Sequence, residues 1–443
     1  MHTFLSTLRC HLPTLVIGLG LATAGLRAEE KPSASPPSPA PTFKFPLPAT
    51  DDGIPGAGPL RRQEWFQKRW DERRTDFASH ATEEQGALVF LGDSITQGWG
   101  NRLAEHFPEA KLANRGIGGD TTRGMLLRLA DDVLNLQPSG VVLLMGTNDL
   151  EMGAEPAVIA GNVKLIIDAL KAHNADMPIV LCQVFPSSAK KKRPAEKIKT
   201  LNKLCQDLVK GDQQVTVLDT WTLFANTEGD ARPEEFPDLL HPNAVGYAKW
   251  SSALRPILAT LGFLETGEDD FTPETGAIVL FNGEDLTGWG FRDQKTLTPQ
   301  ANFDGQTASS DGRYIALHDR IVVKTPSEGR KVQQMWTTQE FPKDFTLKLE
   351  FRATPNADSG VFIRKPQLQC RDYPLAGPYK ELQQYKPQGW NELVIKVTGD
   401  VARCTCNGEV LEAEFQLPET GPIGLEGDRG QMEYRRIRLI PAN

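Results

Sequence analysis

The chain has 443 residues, enough for two or three domains, and its apolar and charged fractions of 39% and 24% are those of a globular protein. A formal net charge of −8 argues against nucleic acid or an anionic membrane surface as the main partner. No Cys/His cluster has metal-ligand spacing, so neither metal nor cofactor is expected.

Residues 1–28 read as a cleaved secretory signal. Arg9 and His11 precede the apolar stretch Leu12–Gly25, which is short for a membrane span, and Ala22-Thr23-Ala24 or Ala28 offers a small-residue cleavage site. No later segment is apolar enough to cross a membrane, so the mature protein is expected to be exported, periplasmic or extracellular. Without Cys10 the remaining cysteines are Cys182, Cys205, Cys370, Cys404 and Cys406, an odd number that forms no disulfide framework. Cys182 and Cys205 read as buried small hydrophobes; pairing of Cys370 with Cys404 or Cys406 stays open. Residues 29–59, rich in proline, serine and alanine, read as an extended linker.

Residues 60–265 alternate short apolar runs with helical patterns. Strands are expected at 87–92, 141–146, 178–185 and 215–219, with a weaker one near 110–114, and amphipathic stretches at 121–136 and 156–173. Nearly continuous apolar strands alternating with helices imply a doubly wound parallel sheet in an α/β domain, with its site at the strands' C-terminal ends. Lys190, Lys191, Lys192 and Arg193 form the one basic run and read as a solvated loop or helix start.

A second linker, 266–275, leads to a block of another character, 276–443. DFTLKLEFR at 344–352 alternates Phe345, Leu347, Leu349 and Phe351 with polar residues, and WNELVIKVTGD at 390–400 does the same. Asn407-Gly408 between two strand-like runs is a hairpin signal. This block reads as a β-sandwich.

Four stretches of the first block follow strands: Gly92-Asp93-Ser94, Gly118-Gly119-Asp120, Gly146-Thr147-Asn148-Asp149 and Asp238-Leu239-Leu240-His241. Acyl transfer through a covalent intermediate needs a hydroxyl, a base, a carboxylate to orient the base, and donors for the oxyanion. Ser94 supplies the hydroxyl, His241 the base and Asp238 the orienting acid. The backbone N–H groups of Ser94 and Gly119 and the amide of Asn148 supply the donors. Each stretch alone has a plainer reading: Asp238 and His241 as caps of the last helix, Asn148-Asp149 as an Asx turn, Gly118-Gly119 as a loop, Asp120 as a helix cap. Together they make four coincidences at strand ends, and the catalytic reading is the better one.

This ensemble resembles the SGNH (GDSL-type) esterases. GDS stands at 92–94, the glycine of GGD at 119, GTND at 146–149 and DxxH at 238–241, and NRGIGGDTTRG is similar to the branch of platelet-activating-factor acetylhydrolase catalytic subunits. The resemblance implies a flavodoxin-like sheet, Ser94, His241 and Asp238 as triad, and Ser94, Gly119 and Asn148 as oxyanion hole. It also fits the lack of a GxSxG elbow, Thr96 standing where the second glycine would be.

The second block, through IVLFNGEDLTGWG at 278–290, ADSGVFIR at 357–364 and GPIGLEGDRGQMEYRRIRLIP at 421–441, resembles the 3-keto-disaccharide hydrolase-type domain, a concanavalin/lectin-like jelly roll. Where that family usually has a glutamate, this chain has Gln367, which favours glycan binding over cleavage; Glu350, Asp358, Asp372 and Glu426 are the carboxylates that could compensate. Trp289, Trp336 and Trp390 read either as core or as sugar-stacking residues. The expected function is an exported serine esterase acting on small acyl esters, acetyl on carbohydrate above all, with a glycan-binding or glycoside-processing sandwich. The alternatives are a lipid or phospholipid acetyl ester as substrate, and a carbohydrate-binding surface protein with a vestigial esterase domain.

Overall fold

In the computed structural model, which describes residues 44–264, 270–317, 319–324, 333–342 and 344–442, the apolar runs of the first block form a five-stranded parallel sheet. The signal expected over 1–28 and the first part of the linker lie outside the described residues. The chain runs α1 (Glu64–His80), β1 (Leu88–Gly92), α2 (Ser94–Gln97), α3 (Arg102–His106), β2 (Leu112–Gly116), α4 (Thr122–Asp132) and β3 (Gly140–Leu144). It continues through α5 (Thr147–Glu151), α6 (Pro156–His173), β4 (Ile179–Cys182), α7 (Ala195–Leu208), β5 (Val215–Leu218), α8 (Thr220–Phe224) and α9 (Ala244–Thr260). Strand order is β2-β1-β3-β4-β5, so the winding reverses beside β1, the position at whose C-terminal end doubly wound sheets place their ligands.

Side-chain alternation divides the strands between two cores. Val89, Leu91, Val141 and Leu143 pack with Met125, Leu129, Ile159, Ile166 and Leu201 on one face. Leu88, Phe90, Val142 and Val180 pack with Trp99, Tyr247, Trp250 and Leu254 on the other. Among the described residues no helix is long and apolar enough to cross a membrane.

The expected linker does not extend to residue 59. The Phe45 N–H donates to Asp71 (2.8 Å), Ala57 exchanges hydrogen bonds with the Asn162 amide (3.0 and 2.8 Å), and the Pro59 carbonyl accepts from Thr121 Oγ1 (2.9 Å). Asp51 pairs with Arg62 and Arg123. Prolines pre-extend this strap, and polar side chains of the domain satisfy its backbone.

The second block is built of β6 (Ile278–Val279), β7 (Trp289–Phe291), β8 (Tyr314–Leu317), β9 (Arg320–Val323), β10 (Met335–Thr337) and β11 (Phe345–Ala353). Then come β12 (Gly360–Ile363), β13 (Gln367–Gln369), β14 (Asn391–Thr398), β15 (Val401–Cys406), β16 (Glu409–Gln416), β17 (Ile423–Leu425) and β18 (Met432–Pro441). One sheet runs β13-β12-β17-β10-β7 and the other β16-β15-β14-β11-β18-β9-β8, with β6 on β18. They enclose an apolar cluster of their own, from Leu280 to Leu439. The alternation in β11 is borne out residue by residue: Phe345, Leu347, Leu349 and Phe351 are buried and their neighbours are not. Trp289 belongs to this core, its indole N–H bonded to the Leu280 carbonyl (2.6 Å), whereas Trp336, next to the core residue Met335, is buried on the other face of β10 against Phe362 (5.0 Å). The guanidinium groups of Arg352 (4.8 Å) and Arg435 (4.1 Å) lie against the Trp390 ring. The five described cysteines are buried and unpaired with one another. The two domains meet where the Gln431 amide donates to Pro256 O (3.1 Å) and Thr260 Oγ1 (2.9 Å), and the Asn356 amide to Asp219 (2.7 Å).

Candidate active site

The turn from β1 into α2 needs a glycine. A Cβ on Gly92 would lie 2.1 Å from Thr96 Oγ1 and 2.7 Å from the Leu144 carbonyl. Asp93 then caps α2, its Oδ1 accepting from the Ile95 N–H (2.9 Å), and Ser94 becomes the first helical residue beyond the carboxyl end of β1.

His241 arrives from the far end of the domain, on the loop before α9. Tyr247 fixes that helix against α2 by donating its hydroxyl to the Ile95 carbonyl (2.8 Å), within the Trp99–Tyr247–Trp250 aromatic cluster. His241 Nε2 lies 2.9 Å from Ser94 Oγ, and Nδ1 lies 2.8 Å from Asp238 Oδ2. The other oxygen of Asp238 accepts from the N–H groups of Leu240 (3.1 Å) and His241 (2.8 Å). Such a tight wrap puts Leu239 in the left-handed region (φ 60°), and Ser187 holds its carbonyl (2.7 Å). Burial raises the Asp238 pKa, but the hydrogen bonds and charge of His241 outweigh it, and the carboxyl stays below its ordinary value. The capping reading of this stretch fails: α9 is capped by Asn243, whose Oδ1 accepts from the Gly246 N–H (3.1 Å).

Gly119 and Asn148 lie at the ends of β2 and β3. Gly119 has φ +90°, a conformation glycine adopts without strain, and this turns the loop around Gly118, whose N–H donates to Gln97 Oε1 (2.6 Å). Asn148, on α5, donates from Nδ2 to the Asp120 carbonyl (2.9 Å). Asp120 is not a helix cap: Thr121 caps α4, and Asp120 is wholly buried against Arg128 (2.8 Å). Asp149 is buried too, accepting from the Thr122 N–H (3.0 Å) and hydroxyl (2.6 Å). Burial pushes Asp93 and Asp120 up to about 7 and Asp149 to about 6; neighbouring carboxylates add to the effect at Asp93 and Asp120, and nearby arginines and hydrogen bonds oppose it.

Two arginines hold these residues from behind. Arg193 is buried; its Nε donates to the Thr147 carbonyl (3.0 Å) and hydroxyl (2.9 Å), and Nη2 to Asn148 Oδ1 (3.2 Å). Arg61 donates from Nε to the Gly119 carbonyl (2.7 Å) and from Nη2 to Glu151. Burial lowers the Arg193 pKa, and the Glu151 charge opposes that lowering. The basic run is therefore not wholly solvated, since its last member lies inside the domain.

A polarised hydroxyl, an imidazole oriented by a carboxylate, and a glycine loop beside an amide are parts of one known constellation. Residues 90–249 match the GDSL-like lipase/acylhydrolase family, and residues 276–440 match the 3-keto-alpha-glucoside-1,2-lyase-like domain. The first domain is a GDSL-like acylhydrolase, of an ester-hydrolysing family. Human platelet-activating factor acetylhydrolase IB subunit alpha2 is 29% identical over 207 residues, 46% of this chain and 89% of the relative. The mouse alpha1 subunit is 27% identical over 216 residues, 47% and 90% of the two chains. Among solved structures, a GDSL-like lipase from Bacteroides thetaiotaomicron is similar at 23% identity and a TM-score of 0.38, over 42% of this chain and 98% of that one. The acetyl xylan esterase AlAXEase is similar at 22% identity and a TM-score of 0.34, over 39% and 98%.

In the acylhydrolase domain the sequence-level reading missed Arg61, Glu151 and Arg193, and all of α1. Helix α1 buries Phe66, Trp70, Arg74 and Phe77 at helical spacing, a signal hidden by the dense charge of EWFQKRWDERRTDFASH. In the second domain, Gln367 is not remote from a carboxylate. Its amide donates to Glu426 Oε2 (2.5 Å), and Gln334 donates to Oε1 (2.7 Å). Burial raises the Glu426 pKa. Glu350 is bound by Arg435 and Arg436, Asp358 by Arg371 and Arg429, and Asp372 accepts from the Asn356 N–H. Glu426 is the one of the four candidates hydrogen-bonded to Gln367.

Proposed function

We propose that the protein is an exported serine esterase that removes acetyl groups from carbohydrate. The observation that carries this reading is the continuous Asp238–His241–Ser94 chain of hydrogen bonds at the carboxyl end of β1. His241 Nε2 takes the Ser94 proton as Oγ attacks the ester carbonyl. The resulting oxyanion is held by the N–H groups of Ser94 and Gly119 and by Asn148 Nδ2. His241 then gives its proton to the departing alcohol, and the acyl-enzyme forms. Water, deprotonated by the same imidazole, releases the acid and restores Ser94. Asp238 fixes the ring's tautomer and faces the positive charge that develops on it.

Acetyl as the acyl group is supported by the relatives, which are acetylhydrolases by name. Carbohydrate as the alcohol is supported by the attached domain, whose family is named for a keto-glucoside. The secretory signal read over 1–28 supports export. Ser94→Ala should lower turnover of p-nitrophenyl acetate about a thousandfold or more, the scale of losing a triad member; retained activity would overturn the assignment.

The sandwich is read as a glycan-binding module, with Gln367 in the place of a glutamate and Glu426 held by the Gln334 and Gln367 amides. Full-length Ser94→Ala protein should bind a 3-keto-glycoside without cleaving it. Cleavage that disappears in Ser94→Ala/Glu426→Gln would make the sandwich a second enzyme instead.

A further inference from the structure

Trp65 is the one aromatic among the exposed large apolar side chains of the described residues, and it is 49% exposed. It lies on the solvent side of α1, directly after the strap, and outside the segment that matches the acylhydrolase family. Its place is specific. A Cβ on Gly119 would come within 2.8 Å of Trp65 Cη2 and 3.3 Å of Cζ3, so the indole edge rests on the oxyanion-loop glycine. Phe66 meets it edge-on at 5.7 Å.

The surroundings of the ring are polar. The guanidinium groups of Arg61 and Arg69 each lie 5.6 Å from its centroid. Arg61 is committed to Gly119 and Glu151, whereas Arg69, exposed one turn along α1, makes no hydrogen bond or ion pair among the described residues. A Cβ on Gly118 would lie 2.7 Å from Arg69 Nη1 and 3.1 Å from Gln97 Oε1. Gln97 follows Ser94 by three residues on α2, which brings it to the same face of that helix. Ser94, Gln97, the Gly118–Gly119 loop, Arg69 and Trp65 thus form one continuous rim.

An acyl chain would want an enclosed apolar channel. A single exposed indole flanked by an uncommitted guanidinium offers the opposite: a flat apolar face with donors at its edge. A pyranose ring has matching chemistry, with C–H groups on its face and hydroxyls around its rim. We infer that Trp65 and Arg69 form the subsite for the sugar ring of the ester, Trp65 stacking on the ring and Arg69 donating to its hydroxyls. This subsite rests on the esterase reading above.

The test compares full-length wild type, Trp65→Ala, Trp65→Phe and Arg69→Met on a monoacetylated methyl xyloside and on p-nitrophenyl acetate. The readout is the ratio of the two kcat/KM values, which cancels any loosening of the Gly119 loop common to both substrates. Trp65→Ala should lower the ratio about tenfold, mainly through KM for the sugar ester, as expected for loss of one stacking partner. Trp65→Phe should recover most of it, and Arg69→Met should lower it about threefold, the scale of one exposed hydrogen bond. An unchanged ratio in Trp65→Ala would overturn the inference. So would a selective loss on p-nitrophenyl octanoate, which would assign the indole to the acyl chain. Ser94→Ala, assayed alongside, keeps the two readings apart: activity surviving there sinks the triad, whatever the ratio does.

Discussion

Arg193→Met is the sharpest probe of how the proposed oxyanion donors are held. The guanidinium touches no reacting atom in the proposed chemistry; it positions Asn148 through Oδ1 at 3.2 Å and Thr147 through two further hydrogen bonds. Methionine keeps much of the apolar stem and removes every donor. The Thr147 carbonyl and Asn148 Oδ1 then lose a charged partner inside the domain, a loss of about 1–3 kcal/mol per group left without a replacement. The catalytic ceiling is the loss of one oxyanion donor, about a hundredfold to a thousandfold in kcat. Since Asn148 keeps its bond to the Asp120 carbonyl, a partial effect is expected, about tenfold to a hundredfold in kcat with little change in KM. Purified variants would be assayed on p-nitrophenyl acetate, with melting curves to confirm folding. The decisive comparison is Asn148→Ala with and without Arg193→Met. If Arg193 acts through Asn148, the double variant is scarcely slower than Asn148→Ala alone. Two losses that simply multiply would refute the reasoning.

Three further outcomes follow from the same rim and its foundations. Gly119→Ala combines a left-handed backbone with a 2.8 Å approach to Trp65, so both the melting temperature and kcat should fall; wild-type values in both would show that the loop yields freely. Asp93, raised to about 7, contributes stability below its unfolded value near 4 and loses it as pH climbs through 7. Urea unfolding of wild type should therefore weaken between pH 4 and 7, with Asp93 contributing at most about 1.4 kcal/mol per pH unit, and Asp93→Asn should flatten that slope. Tyr247→Phe removes the bond to the Ile95 carbonyl and should cost about 1 kcal/mol of stability. It should also slow kcat by loosening His241 relative to Ser94; a stability loss with unchanged kcat would separate the two roles.

The parts of this fold that sequence reveals are those whose residue type is dictated locally. Strands buried on both faces must be apolar throughout, so β1, β3 and β4 stand out from their runs alone. Gly92 and Gly119 are dictated by a close approach and by a backbone angle, and both flank candidate site residues. What was hidden depends on distant partners. Arg193 belongs to a basic run that reads as solvated, yet the end of β3 draws it inside. By residue type Asp238 serves equally well as a helix cap, and only the fold gives that role to Asn243. Glu426 and Gln367 are 59 positions apart and meet only because β12 pairs with both β13 and β17. No periodicity encodes such a meeting.

The strap has a practical corollary for anyone moving the esterase between carriers. The segment shared with other acylhydrolases, 90–249, contains Ser94, Gly119, Asn148, Asp238 and His241. A gene cut at those limits would nevertheless discard Arg61, which grips the Gly119 carbonyl, and Trp65, which leans on the same glycine. It would also strip Asn162 and Thr121 of the partners that Ala57 and Pro59 provide. The transplantable module therefore reaches back at least to Phe45, whose N–H is held by Asp71, well ahead of the stretch that advertises its chemistry.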